Sequence, residues 1–243
     1  CSVGKADESP HQDSRNPNII IIMADDMGYG DVHAFYPESE IPTPNLDTLA
    51  REGMMFTDAH TPSSICTPTR YGLLTGRYCW RTRLKSGVLK GYDLPLIQED
   101  RLTIADYLDE LGYQTGIVGK WHLGLEYQKK ARGVDGVHAE FDLTEPLLHT
   151  PNKDGFDYSF VLPASLDFEP YFYARNYDIV DTEFERVPTT EFPHFWREGI
   201  KSKSLEFDQV LDDLLVEAKA FIERAAGSDD PFFLYFPLTA PHK

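Results

Sequence analysis

The chain has 243 residues, and its 40 Asp and Glu against 23 Lys and Arg give a formal charge of −17. With 41% hydrophobic and 13% aromatic residues it can bury a sizeable core, which excludes wholesale disorder. The acidic balance argues against a nucleic-acid partner, three cysteines are too few for a disulfide framework, and the run Ile19–Met23 is too short to cross a bilayer.

Residues 1–16 are polar and unpatterned and read as a flexible tether opening on Cys1. A chain that begins with cysteine and a polar tether resembles a processed bacterial lipoprotein, whose thiol carries a lipid. On that reading the protein is expected at the bacterial periplasm or cell surface, touching membrane only through a lipid on Cys1. The alternative is a chain boundary that happens to fall at a cysteine.

Asn18–Ala24 is nearly all aliphatic, as in a strand buried on both faces, and ends in a loop holding Asp25, Asp26, Gly28, Gly30 and Asp31. Thr43-Pro44 starts a helix that Gly53 closes, and Met54–Ala59 reads as a strand. Arg101–Leu111 is a helix by its leucine spacing, and Thr115–Val118 is a short buried strand running into Gly119-Lys120-Trp121-His122. From Tyr127 to Ile200 the pattern is long loops and small edge strands. Ser204–Ala226 is an amphipathic helix, and Pro231–Phe236 is a last strand before Pro241-His242. Strands alternating with helices predict an α/β fold with helices on both sheet faces. Ligands of such folds gather beyond the carboxyl ends of the strands, where the Asp25, Lys120 and His242 loops are expected.

Asp25 and Asp26 would repel each other unless neutralised. They suit a hard divalent cation, Ca²⁺ or Mg²⁺, or else form an ordinary acidic loop. Cys66, two residues before Pro68, is expected at a helix N-terminus, which favours a nucleophile or anion; an inert buried thiol is the alternative. Lys120 and His122 alternate along one extended face.

The segment Cys66-Thr67-Pro68-Thr69-Arg70, followed by Leu74-Thr75-Gly76-Arg77, resembles the signature of the type I sulfatases. Gly112-Tyr113-Gln114-Thr115 through Gly119-Lys120-Trp121-His122-Leu123-Gly124 resembles the second motif of that family. Asn18–Asp31, Gly155–Tyr158, Ser165–Tyr171 and Leu238–His242 extend the resemblance over most of residues 17–243. It implies an alkaline-phosphatase-like, mostly parallel sheet, of which residues 17–243 form the N-terminal portion of a catalytic domain.

The resemblance also implies the chemistry. A separate maturation enzyme oxidises Cys66 to formylglycine, whose hydrate attacks sulfur with one hydroxyl and expels sulfate with the other. Asp25, Asp26 and matured Cys66 bind Ca²⁺ or Mg²⁺, together with a later Asp-Asn or Asp-Gln pair beyond residue 243, where a second lysine also lies. Arg70 holds the hydrate, Lys120 contacts sulfate, His122 acts as base and His242 protonates the leaving alcohol. Asp167 and Tyr171 join Lys120 and His242 as substrate contacts. The implied activity is hydrolysis of sulfate monoesters, with sulfated glycosaminoglycan or polysaccharide fragments as substrates. The competing readings are a phosphate or phosphonate ester hydrolase of the alkaline-phosphatase superfamily, and a non-catalytic relative that binds sulfated glycans. His33, His60, His138, His149 and His194 match no catalytic position and read as structural or surface residues. Aromatics from Phe168 to Trp196 read either as sugar-stacking platforms or as loop-packing core.

Overall fold

Residues 16–130, 140–191 and 196–242 are described by the computed structural model. The expected tether lies almost wholly outside the described residues, as do Cys1, His138 and His194. In chain order the first elements are β1 (Ile19–Asp25), α1 (Pro44–Glu52), α2 (Cys66–Thr75), α3 (Ile104–Glu110) and β2 (Gln114–Lys120). Seven short strands follow: β3 (Gln128–Lys129), β4 (Phe141–Asp142), β5 (Tyr158–Leu162), β6 (Ala174–Arg175), β7 (Asp178–Ile179), β8 (Phe184–Val187) and β9 (Gly199–Ser202). Then come α4 (Val210–Ala225) and β10 (Phe232–Pro241). No described helix is long and apolar enough to cross a membrane.

The main sheet has the order β1-β10-β2-β5-β6-β7. Its first four strands are parallel, and β6 and β7 add an antiparallel edge. The last strand in sequence therefore lies between the first two. Alternate side chains of β10 feed different cores, because successive residues of a strand face opposite ways. Phe233 and Tyr235 pack with Tyr71 and Leu74 of α2 and Ala105 and Leu108 of α3. Phe232, Leu234 and Phe236 pack with Val210, Leu214, Ala218 and Phe221 of α4. This is the mixed, mostly parallel sheet flanked by helices that the sequence predicts.

Several expectations need correction. β1 is buried on one face only: Ile19, Ile21 and Met23 reach the core, whereas Ile22 is 64% exposed. The cause is coverage: α4 packs against β10 and β2 on that side of the sheet, and no β1 residue belongs to its core. Met54–Ala59 forms no strand among the described residues, and Met54 and Phe56 are exposed. α3 starts at Ile104 rather than Arg101, because Thr103 accepts a hydrogen bond from the Asp106 amide and closes a capping box. α4 starts at Val210, after a 3₁₀ turn at Phe207–Gln209, since the Ser204 amide is engaged by Asp181 instead of opening a helix.

One glycine fixes the approach to Lys120. Gly119 sits at φ +135°, and a Cβ there would fall inside the van der Waals radius of the Pro237 carbonyl oxygen on β10. Backbone strain and forced strand separation then act together. Gly119→Ala is expected to destabilise the fold by about 1–3 kcal/mol, read as a lower urea midpoint. An unchanged midpoint would show that this strand contact is not tight.

Candidate active site

The parallel strands β1, β10 and β2 end side by side, and each delivers one ionisable group to the same sheet edge. β1 ends on the carboxylate of Asp25, β2 on the ammonium of Lys120, and β10 ends at Pro241 with the imidazole of His242, charged only when protonated, directly after it. Asp25 pairs in register with Pro241, and the His242 amide donates to the Asp25 carbonyl at 2.9 Å.

α2 supplies the facing wall. Its first residue is Cys66, preceded by extended Ile65, and it ends at Gly76 in the left-handed region. Arg70, one turn on, is fully buried. Its Nη2 donates to Asp25 Oδ1 at 3.2 Å and its Nη1 to the Lys120 carbonyl at 2.7 Å. Lys120 is also fully buried; its ammonium is paired with Asp25 Oδ2 and lies 3.2 Å from Cys66 Sγ. Asp25 thus joins two buried cations, while Asp26, at φ +63°, keeps its side chain 49% exposed. His242 lies near both carboxylates, 3.8 Å from Asp25 and 3.7 Å from Asp26.

A cleft of 470 Å³ opens on this group, with Asp25, Asp26, Cys66 and Arg70 in its lining. Ligand atoms of Asp25, Asp26 and Cys66 all lie within 4.8 Å of one another. Two carboxylates suit a hard cation, but a thiol does not, because Ca²⁺ and Mg²⁺ take oxygen ligands. The trio fits such a cation once residue 66 presents oxygen instead of sulfur. Burial raises the Cys66 thiol pKa, opposed by Lys120 and reinforced by the Asp25 carboxylate. As a plain thiol it stays protonated, a poor nucleophile.

His122 sits differently from its expected extended alternation with Lys120. β2 stops at Lys120, and His122 turns to φ +56°. Its Nε2 lies 2.7 Å from the Leu89 carbonyl, which can only accept, so Nε2 carries the proton, and buried Nδ1 has no hydrogen-bond partner among the described residues. Burial, with Lys120 adding to it, holds the imidazole well below its ordinary pKa, so the ring is neutral with its lone pair on Nδ1. Thr67 was not singled out by sequence reasoning, yet it organises this corner. Its fully buried hydroxyl donates to the His122 carbonyl at 2.9 Å and accepts from the Leu89 amide at 3.1 Å. The signal available was its place directly after Cys66.

Of the expected site residues, Lys120, His122, His242, Asp167 and Tyr171 are not in the lining of this cleft; Lys120 and His242 adjoin it through Asp25, whereas Asp167 and Tyr171 lie elsewhere. Asp167 accepts from the Ser165 hydroxyl and lies 3.4 Å from Arg197. Tyr171 is buried edge-on against Phe207, its hydroxyl donating to the Arg197 carbonyl at 2.9 Å. Phe172 and Tyr173 are buried too, so this aromatic run packs core, whereas Phe168 lies 5.9 Å from the His122 ring. Of the remaining histidines described, His149 bonds buried Asp154, His33 faces Asp47 and His60 pairs with Asp58 at the surface.

The chain is 32% identical over 265 residues to N-acetylgalactosamine-6-O-sulfatase of Bacteroides thetaiotaomicron, covering 95% of this chain and 49% of that protein. It is 47% identical over 239 residues to human Arylsulfatase A, covering 92% and 41% respectively. A solved B. thetaiotaomicron structure, reported with the metabolism of multiple glycosaminoglycans, superposes with a TM-score of 0.79 at 32% identity. That superposition covers 94% of this chain and 52% of the solved one, so the chain spans about half the length of the relatives it matches. The model of the family described as Sulfatase matches residues 17–243, and the chain belongs to that family.

Proposed function

We propose that this chain carries the nucleophile and the sulfate-binding charges of a sulfatase acting on sulfated carbohydrates. The observation that supports this most is the meeting of Asp25, Arg70, Lys120 and Cys66 at the ends of parallel strands, where Asp25, Arg70 and Cys66 line one cleft and buried Lys120 touches Asp25 and Cys66. The carbohydrate class is supported by the B. thetaiotaomicron relative, whose name specifies a sulfated amino sugar.

Asp25, Asp26 and the oxygen of residue 66, after oxidation to formylglycine by a maturation enzyme, would hold Ca²⁺, with Mg²⁺ as the alternative. The cation and the hydrated aldehyde supply charge neutralisation and an oxygen nucleophile that can later eliminate sulfate. The chain's own residues do the rest. Arg70 and Lys120, with a divalent cation, carry more positive charge than Asp25 and Asp26 cancel, and the surplus suits an anionic ester. Lys120 Nζ, between Asp25 and residue 66, steadies negative charge on a transferring oxygen. His122 would accept at Nδ1 the proton of the hydroxyl that eliminates sulfate, and His242 would donate a proton to the departing alcohol oxygen.

The test uses protein expressed from its full reading frame together with a formylglycine-generating enzyme. Sulfated mono- and disaccharides should release inorganic sulfate, chelation should stop the release, and Ca²⁺ should restore it. Faster release of phosphate or phosphonate from matching esters would move the assignment to the wider hydrolase superfamily. Tight binding of the sulfated sugars without release would make the protein a non-catalytic relative.

A further inference from the structure

The charge of the chain is unevenly distributed. Between His60 and Tyr92 there is no Asp or Glu, while Arg70, Arg77, Arg81, Arg83, Lys85 and Lys90 all fall there. In a chain of charge −17 this segment carries no acid of its own to offset its basic residues. Arg70 belongs to the active-site cleft; Arg81 and Lys85 are exposed on the turn that follows α2.

That turn also displays two large rings. Tyr78 is 55% exposed and Trp80 56%, although burying either would favour folding. Their rings are stacked in parallel, 16° apart in plane, with centroids separated by 6.1 Å. The Arg81 guanidinium lies over Trp80 at 5.3 Å, and Lys85 Nζ donates to the Trp80 carbonyl at 3.1 Å. The turn is held from below. Cys79 is buried between the two rings in sequence, and the Thr82 hydroxyl donates to the Cys79 carbonyl at 2.7 Å. A fixed pair of exposed rings loses little freedom when it meets a ligand.

Tyr78, Trp80 and Lys85 line a hollow of 370 Å³. Ser63 and Ile65 line both this hollow and the cleft at Cys66, so the two spaces are neighbours that share a wall. A ligand longer than one sugar, anchored at Cys66, has an aromatic and cationic surface beside it. Apolar C–H faces of sugar rings match the ring surface left exposed beyond the Tyr78–Trp80 and Arg81–Trp80 contacts, and sulfate groups match Arg81 and Lys85.

We propose that the Tyr78–Trp80 hollow is a second sugar subsite, holding a neighbouring unit of a sulfated oligosaccharide whose reacting ester lies at Cys66. The proposal rests on the sulfated-carbohydrate reading above and adds to it a preference for oligosaccharides over monosaccharides.

Calorimetric titration of the protein from its full reading frame tests it, with chondroitin 6-sulfate tetrasaccharide and N-acetylgalactosamine 6-sulfate as ligands. Trp80→Ala should weaken tetrasaccharide binding about tenfold, equivalent to about 1.4 kcal/mol, and leave monosaccharide binding and turnover unchanged. Trp80→Phe, which keeps a ring, should restore most of the loss, and joint replacement of Arg81 and Lys85 by Gln should make binding less salt-dependent. Equal weakening of both ligands, or of neither, would overturn the subsite. So would equally tight binding of a single-stranded oligonucleotide of matching charge, which would mark a general polyanion surface. Wild-type protein that binds both sugars but releases no sulfate would defeat the sulfatase reading, while the Trp80 comparison would still decide the subsite.

Discussion

Asp25→Ala is expected to remove sulfate release and to lower folding stability by about 3–5 kcal/mol, because it leaves two buried cations without their carboxylate. Arg70 and Lys120 have no exposed side-chain surface, and both are paired with Asp25, itself only 4% exposed. Removing one member of such a group costs more than the group contributes when complete, since the remaining charges cannot rehydrate. Asp26→Asn should separate the two effects. Its carboxylate is half in solvent and has no comparable buried partner, so stability should change by less than about 1 kcal/mol. Asparagine also tolerates the φ of +63° at this position. Turnover should nevertheless collapse, because one of the two carboxylates facing the proposed cation has lost its charge. Urea melts and sulfate release, measured on both variants across a Ca²⁺ titration, check the pair of outcomes. Equal destabilisation of the two variants would refute the division of labour between a structural and an exposed carboxylate.

The contrast between Asp25 and Asp26 also marks where sequence reading stops. Two adjacent acids after an aliphatic run announce a charged loop at a strand end, and the Cys66 and Lys120 motifs announce two more loops. Their meeting depends on β10 inserting between β1 and β2, which local patterns do not encode because strand order is a long-range property. Nor does the dipeptide say which carboxylate turns inward to Arg70 and Lys120. That follows from strand pleat and from the left-handed backbone at Asp26. Lys120 was legible as a residue but not in its geometry: Gly119 and the Pro237 carbonyl set the approach of β2 to β10. His122 was expected on an extended face, and the hydrogen bonds of Thr67 with its carbonyl and with the Leu89 amide show why the chain turns instead. The missed features share a cause. Met54–Ala59 has strand composition, but composition supplies no partner; β1 has an interior composition, but α4 packs against β10 and β2 instead.

The second large effect concerns residue 66. Cys66→Ala is expected to abolish turnover while sulfated-sugar binding persists, because Arg70 and the carboxylates keep their places in the cleft lining and Lys120 stays paired with Asp25. Stability should change little: Cys66 is only partly buried, and its polar contact among the described residues is the Lys120 ammonium at 3.2 Å. Cys66→Ser should behave like the alanine variant in a host that cannot oxidise serine. A lone hydroxyl attached to sulfur would need a second displacement there, whereas a hydrated aldehyde has a second oxygen to eliminate sulfate. Wild-type protein made without a maturation enzyme should fold normally and work poorly, since burial keeps its thiol protonated and sulfur is a weak ligand for a hard cation. Across preparations, specific activity should rise in proportion to the fraction of residue 66 that peptide mass spectrometry finds as aldehyde, and cation affinity should rise with it. The second dependence follows from the donor set alone: Asp25 and Asp26 offer oxygen in either state, but residue 66 does so only after conversion. Full activity from protein whose Cys66 is demonstrably an unmodified thiol would eliminate the aldehyde mechanism, and unchanged cation affinity on conversion would remove residue 66 from the metal site.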